Sequence, residues 1–134
     1  MRSYDSGMPP FECNEDEFAE IAGAELDALP AWIQEAISRN NVAIDVEDER
    51  RGSPRILGLF QSRTLGGTPM NEITLYRLSI MRAAGNRARL RGVIHNTLLH
   101  EIGHLFGMTE VDLDEFTIGN NPRPGAQPVH PPRD

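Results

Sequence analysis

The sequence lacks several features that mark common classes of protein. It contains one cysteine, Cys13, so no internal disulfide can form and the fold depends on its core. No window holds the roughly 18 apolar residues that a membrane span needs. The first residues also lack the apolar core of a signal peptide. These absences predict a cytoplasmic protein with no membrane partner.

Lysine is absent as well, because all 13 basic residues are arginines. They are outnumbered by 20 acidic residues, which gives a formal net charge of −7. Affinity for nucleic acid comes mostly from neutralising phosphates, so we expect no nucleic-acid partner. One local group of arginines is interpreted as a solvated face and not as a basic patch: Arg77, Arg82, Arg87, Arg89 and Arg91.

The 134 residues suffice for one domain with one core. We expect residues 1–10 to be a loose lead and residues 11–118 to form the domain. Residues 119–134 are rich in proline and nearly devoid of apolar side chains. Such a segment cannot offset its ordering entropy, so we predict a disordered tail.

Hydrophobic spacing predicts an α+β fold with two N-terminal helices, a small sheet of about three strands, and one long helix that carries the candidate metal site. The first helix follows Phe11 and the second follows Pro30. The remaining predicted elements are strands at Val42–Val46, Ile56–Phe60 and Ile73–Arg77, a flexible loop at Gly66–Pro69, helices at Leu78–Ala84 and about Ala88–Phe106, and a helical turn at Val111–Phe116.

Within the long helix lies the sequence His100-Glu101-Ile102-Gly103-His104. Residues four apart on a helix lie about 40° apart around the axis, so both imidazoles can reach one ion. Glu101 is offset from His100 by about 100°, which places it beside the ion and free to act on bound water. Zinc lowers the pKa of such water, and the carboxylate can take its proton. The pattern therefore predicts a zinc site with Glu101 as general base.

The third ligand is expected just beyond the helix. A chain that reverses at Gly107 can return Glu110 toward the two histidines. Asp112 and Asp114 are the fallback ligands, each more readily explained as a neighbouring or solvated carboxylate.

Several other reactive side chains have simpler explanations. His95 falls inside the apolar arc of the same helix and is interpreted as a core residue. Tyr76 is interpreted as a packed strand tyrosine, although it could polarise a scissile carbonyl. Cys13 stands among acidic residues that oppose thiolate formation, so we expect a buried or bystander thiol. His130 lies in the tail and has no assigned role.

The His100–Glu110 motif and several segments upstream of it together resemble the minimal zincin family. The members of this family are small bacterial metallopeptidases with the motif His-Glu-x-x-His-x-x-Gly-x-x-acid. The resemblance covers about residues 11–118 and rests on the motif together with four upstream segments: Ala28-Leu29-Pro30, Asn41 to Asp48, Leu57-Gly58-Leu59-Phe60 and Ile73-Thr74-Leu75-Tyr76-Arg77. It implies a zinc ion bound by His100 and His104. The family position of the third ligand falls on Glu110, where aspartate is more usual.

The resemblance implies zinc-dependent hydrolysis of peptide bonds, with an extended peptide or protein segment as substrate. The alternative is a non-catalytic interaction or regulatory module that keeps the fold and its metal. Both hypotheses predict bound zinc, so only the role of Glu101 separates them.

Overall fold

The computed structural model describes residues 8–108. Within this range the chain forms four helices and three strands, which confirms the predicted α+β class. In chain order they are α1 (Glu15–Asp27), α2 (Ala31–Arg39), β1 (Val42–Glu47), β2 (Gly58–Leu65), β3 (Thr68–Tyr76), α3 (Arg77–Ala84) and α4 (Arg87–Leu105). The predicted lead, the turn at Val111–Phe116 and the proline-rich tail lie wholly or mostly outside the described residues.

The two N-terminal helices begin at residues suited to a helix start, the first with a side-chain cap and the second after a proline. The Asn14 side chain accepts the N–H of Glu17 at 2.9 Å, and the Glu17 carboxylate accepts the N–H of Asn14 at 3.2 Å. This reciprocal pair satisfies two backbone donors that a helix start leaves without partners. Pro30 stands immediately before α2, a position where its missing N–H costs nothing.

The sheet has the strand order β1-β3-β2. Strand β1 runs parallel to β3, with Ile44 opposite Ile73, whereas β2 and β3 are antiparallel. Consequently β3 is central, and β2 is an edge strand whose outer side pairs with no other strand between residues 8 and 108.

Strands β2 and β3 form a hairpin around Gly66 and Gly67, where the sequence predicted a flexible loop. The two glycines have φ of 56° and 84°, the left-handed conformations that a two-residue hairpin turn demands. Both strands extend further toward the turn than predicted, because residues 61–65 are exposed and carry no hydrophobic alternation. The hydrophobic pattern revealed only the half of each strand that packs on the core.

Four of the five clustered arginines form ion pairs that connect α3 and α4 to other parts of the fold. Two of these pairs hold the loop after β1: Arg77 with Asp48 at 3.0 Å and Arg82 with Glu49 at 2.7 Å. The other two join α4 to the beginning of the chain: Arg87 with Glu17 at 2.8 Å and Arg91 with Glu25 at 2.7 Å.

Helix α4 lies against the sheet and supplies much of the core, including the fully buried Ile94, Leu98 and Ile102. It ends as the sequence predicted, because Gly107 adopts a left-handed φ of 68°. The N–H of Gly107 donates to the carbonyl of His104 at 3.1 Å, and that of Met108 donates to Gly103 at 3.2 Å. These two bonds form the Schellman motif that closes a helix and turns the chain away from its axis. Between residues 8 and 108, no helix is both long and apolar enough to cross a membrane.

Candidate metal centre

His100 and His104 lie in the last two turns of α4, where the helix emerges from the core. Their ring centroids are 5.0 Å apart, and the rings meet edge to face at 79°. His100 is half-buried and His104 is exposed, so solvent reaches the pair. The structure thus places the two predicted ligands next to each other on one side of the helix.

Glu101 lies on the flank of α4 that faces strand β2, and only 6% of its surface is exposed. Burial raises the pKa of its carboxyl, because the charged form loses contact with water. The charge of His104 and the backbone N–H of Phe60 both oppose that rise. The predicted base is therefore a desolvated carboxylate with one amide donor and one histidine beside it.

The buried face of α4 extends to the side of the helix that carries the two histidines. Thr97 lies three residues before His100 and therefore on the same side of the helix, yet it is buried at 6% exposure. The beginning of β2 covers this side: an ideal Cβ built on Gly58 would lie 2.8 Å from Thr97 Cγ2. A glycine inside a strand commonly marks such a close approach, so Gly58 is a sign of this contact that hydrophobic spacing does not show.

Donor chemistry in the described residues fits zinc but does not complete its coordination. Two imidazole nitrogens are ordinary zinc ligands, and a third protein ligand is usual in a catalytic site. Residues 8–108 contain no group of three histidine, cysteine, aspartate or glutamate side chains that could hold a metal ion. The predicted third ligand Glu110 and its fallbacks, Asp112 and Asp114, lie outside the described residues. The chain reverses at Gly107, three residues before Glu110.

The remaining candidates occupy the positions expected of structural residues. His95 is buried at 4% exposure, with its Nδ1 atom 3.5 Å from Oε1 of the buried Glu25. Tyr76 is buried at the end of β3. Cys13 is buried too, and that burial, with the nearby Glu17, raises the pKa of its thiol. His130 lies outside the described residues.

Comparison with known protein families identifies the family to which this chain belongs. A family model described as a zincin-like metallopeptidase matches residues 39–120, more than half of the chain. The chain belongs to this family. The matched range begins at the end of α2 and includes the sheet, α3 and α4. The resemblance seen in the sequence begins earlier, at about residue 11.

Membership in the zincin-like metallopeptidase family makes this a metallopeptidase-like protein and implies a metal, typically zinc. The matched range contains His100, Glu101 and His104, as well as the predicted third ligand Glu110. No curated protein matches the chain.

Proposed function

We propose that this chain is a zinc peptidase in which His100, His104 and Glu110 hold the metal and Glu101 is the general base. The observation that carries the proposal is the arrangement at the end of α4. Two adjacent imidazoles lie there, one half-buried and one exposed, and Glu101, the carboxylate between them in sequence, is desolvated. The charge of His104 lowers the pKa of that carboxyl, which burial raises.

A zinc ion bound by these residues would lower the pKa of a water molecule to near 7 and polarise the scissile carbonyl. Glu101 would take the proton from that water and later deliver it to the leaving amine. Its raised pKa suits this role, because a base whose pKa lies closer to neutral can both accept and return a proton.

An extended peptide segment is the substrate that best fits the edge of the sheet. The N–H of Tyr76 donates to the carbonyl of Leu57 at 2.9 Å, which fixes the alternation along the β2–β3 pair. In an antiparallel pair, every second residue turns its N–H and C=O away from the partner strand. These residues on β2 are Gly58, Phe60, Ser62 and Thr64. A peptide that paired with this outer side would run past Phe60, whose amide already contacts Glu101.

Such pairing uses the main chain of the substrate, so it requires an exposed, extended segment more than a particular sequence. The net charge of −7 agrees with a protein or peptide partner and opposes a nucleic-acid partner. The cytoplasmic location expected from the sequence stays a prediction.

The experiment is hydrolysis of casein, an unfolded protein, by zinc-loaded wild type and by Glu101→Gln. Gln keeps the size of the side chain but cannot take a proton, so activity should fall by about a hundredfold or more while bound zinc is unchanged. Glu20→Gln is the matched control, since Glu20 is exposed on α1 and should leave both properties as they are.

Each outcome of this comparison separates the two candidate functions. Wild-type hydrolysis that Glu101→Gln abolishes supports the peptidase. Wild-type hydrolysis that survives in Glu101→Gln contradicts the role of Glu101 as base. Bound zinc without hydrolysis of casein or of a mixture of fluorogenic peptides would favour the non-catalytic interaction or regulatory module.

A further inference from the structure

Strand β2 approaches helix α4 more closely at Gly58 than any side chain would allow. An ideal Cβ at this position would lie 2.8 Å from Thr97 Cγ2, 3.2 Å from Glu101 Cγ and 3.2 Å from the carbonyl oxygen of Thr74. The first distance is shorter than real Cβ contacts, and the third involves backbone that cannot rotate away. The φ of Gly58 lies outside the left-handed region, so glycine is needed there for space and not for backbone conformation.

Two residues further along, the same strand reaches Glu101 through its backbone. The alternation of the β2–β3 pair directs the N–H of Phe60 to the outer side of the sheet, where β3 cannot accept it. The N–H of Phe60 acts on the Glu101 carboxylate instead, and this interaction lowers the pKa of the carboxyl. The close approach at Gly58 brings the strand near enough for that contact.

We propose that Gly58 is a positioning residue for Glu101: by lacking a side chain, it lets β2 approach α4 until the Phe60 amide holds the Glu101 carboxylate in place. The importance of this for catalysis rests on the proposed function, since it assumes that Glu101 is the base. A carboxylate has two oxygens, so the one that accepts the amide leaves the other for proton transfer. The strand that would pair with the substrate thereby also orients the base.

The hydrogen-bond part of the proposal is tested without any substrate, by NMR measurement of amide hydrogen exchange in the full chain. In the wild type the Phe60 amide should exchange at least about tenfold more slowly than those of Ser62 and Thr64, which share its outward direction. Glu101→Ala should remove this protection. Glu101→Gln should retain most of it, because the amide oxygen of glutamine still accepts a hydrogen bond.

Gly58→Ala tests the positioning itself. Its Cβ should push β2 away from α4 and speed exchange at Phe60 by about tenfold or more, while the amides of Leu59 and Gln61, which face β3, stay protected. Adding Thr97→Ser removes the methyl group at 2.8 Å and should restore part of the protection. Gly92→Ala on α4 is the matched control, because its Cβ would meet nothing within 4 Å.

If the zinc-loaded chain hydrolyses casein, Gly58→Ala should lower kcat by about tenfold or more with zinc content unchanged and a smaller effect on KM, since a misplaced base slows the chemical step. A Phe60 amide that exchanges as fast as that of Ser62 in the wild type would overturn the proposal. So would a folded Gly58→Ala that keeps both the slow exchange and the full kcat. Should Gly58→Ala fail to fold, the double variant with Thr97→Ser and the Glu101→Ala comparison test the same contact. An absence of hydrolysis in the wild type refutes the proposed function and leaves the exchange result standing.

Discussion

Replacing Glu101 by glutamine should stabilise the metal-free protein, although the same change should abolish hydrolysis. The carboxylate is 6% exposed, and its burial raises the pKa above the ordinary value of 4.5. Near neutral pH an unfolded chain keeps this group fully hydrated and charged, whereas the folded chain must desolvate the charge. Glutamine avoids that cost and can still accept the N–H of Phe60. Removing such a conflict at a functional site typically stabilises a protein by about 0.5–2 kcal/mol.

The stabilisation should depend on pH in a defined direction. Because the folded-state pKa of Glu101 is raised, the wild type keeps its full stability below the unfolded-state value and loses part of it as pH rises through the folded-state value. The gain from Glu101→Gln should therefore be small below about pH 4.5, grow as the carboxyl ionises, and then level off.

Urea unfolding of the metal-free wild type and Glu101→Gln at a series of pH values measures this difference. At neutral pH the melting temperature of the variant should also rise, by roughly 4 °C for each kcal/mol gained. Glu20→Gln, at an exposed site, should change stability by less than about 0.5 kcal/mol at every pH. A Glu101→Gln variant that is less stable than the wild type at pH 7, or whose effect does not vary with pH, would refute the reasoning.

Three further predictions concern residues outside the candidate metal centre. Removing Glu25 by Glu25→Ala should cost about 3 kcal/mol in urea unfolding, because it takes from the buried His95 its carboxylate neighbour. Arg39→Ala, which removes an ion pair with Glu35 that is exposed on both sides, should cost less than about 1 kcal/mol, and equal losses would contradict this difference. Cys13 should react with iodoacetamide at neutral pH far more slowly in the folded protein than in urea, because its thiol is buried and its pKa is raised. Similar reaction rates in the two conditions, measured by mass spectrometry, would show that the thiol is exposed. Gly67→Ala should destabilise the hairpin by about 1 kcal/mol, because alanine is strained at a φ of 84°; unchanged thermal unfolding would argue against the turn.

Local signals in the sequence were sufficient to predict the four described helices. The long helix shows an apolar arc and is followed by Gly107, and the structure ends α4 with the left-handed glycine that this pattern predicts. The proximity of His100 and His104 follows from helical geometry alone, because residues four apart on one helix must be neighbours. The α+β class and the family resemblance were also correct.

Contacts between elements distant in sequence were not predictable in the same way. The hairpin around Gly66 and Gly67 was missed because its outer half is exposed on both strands and shows no hydrophobic alternation. The burial of Glu101 depends on how close β2 lies to α4, and the only sign of that approach in the sequence was a single glycine at position 58. A helical wheel places a side chain around its own axis, but it does not show which other element covers it.

The measurement that tests the central claim most directly is the zinc content per chain at neutral pH, for the wild type and for His104→Ala. His104 is exposed, so its removal should leave the fold intact while taking one of the two imidazoles from the site. The account predicts about one zinc ion per wild-type chain and its loss from the variant. Absence of zinc from both proteins, even after the metal is added, would contradict it.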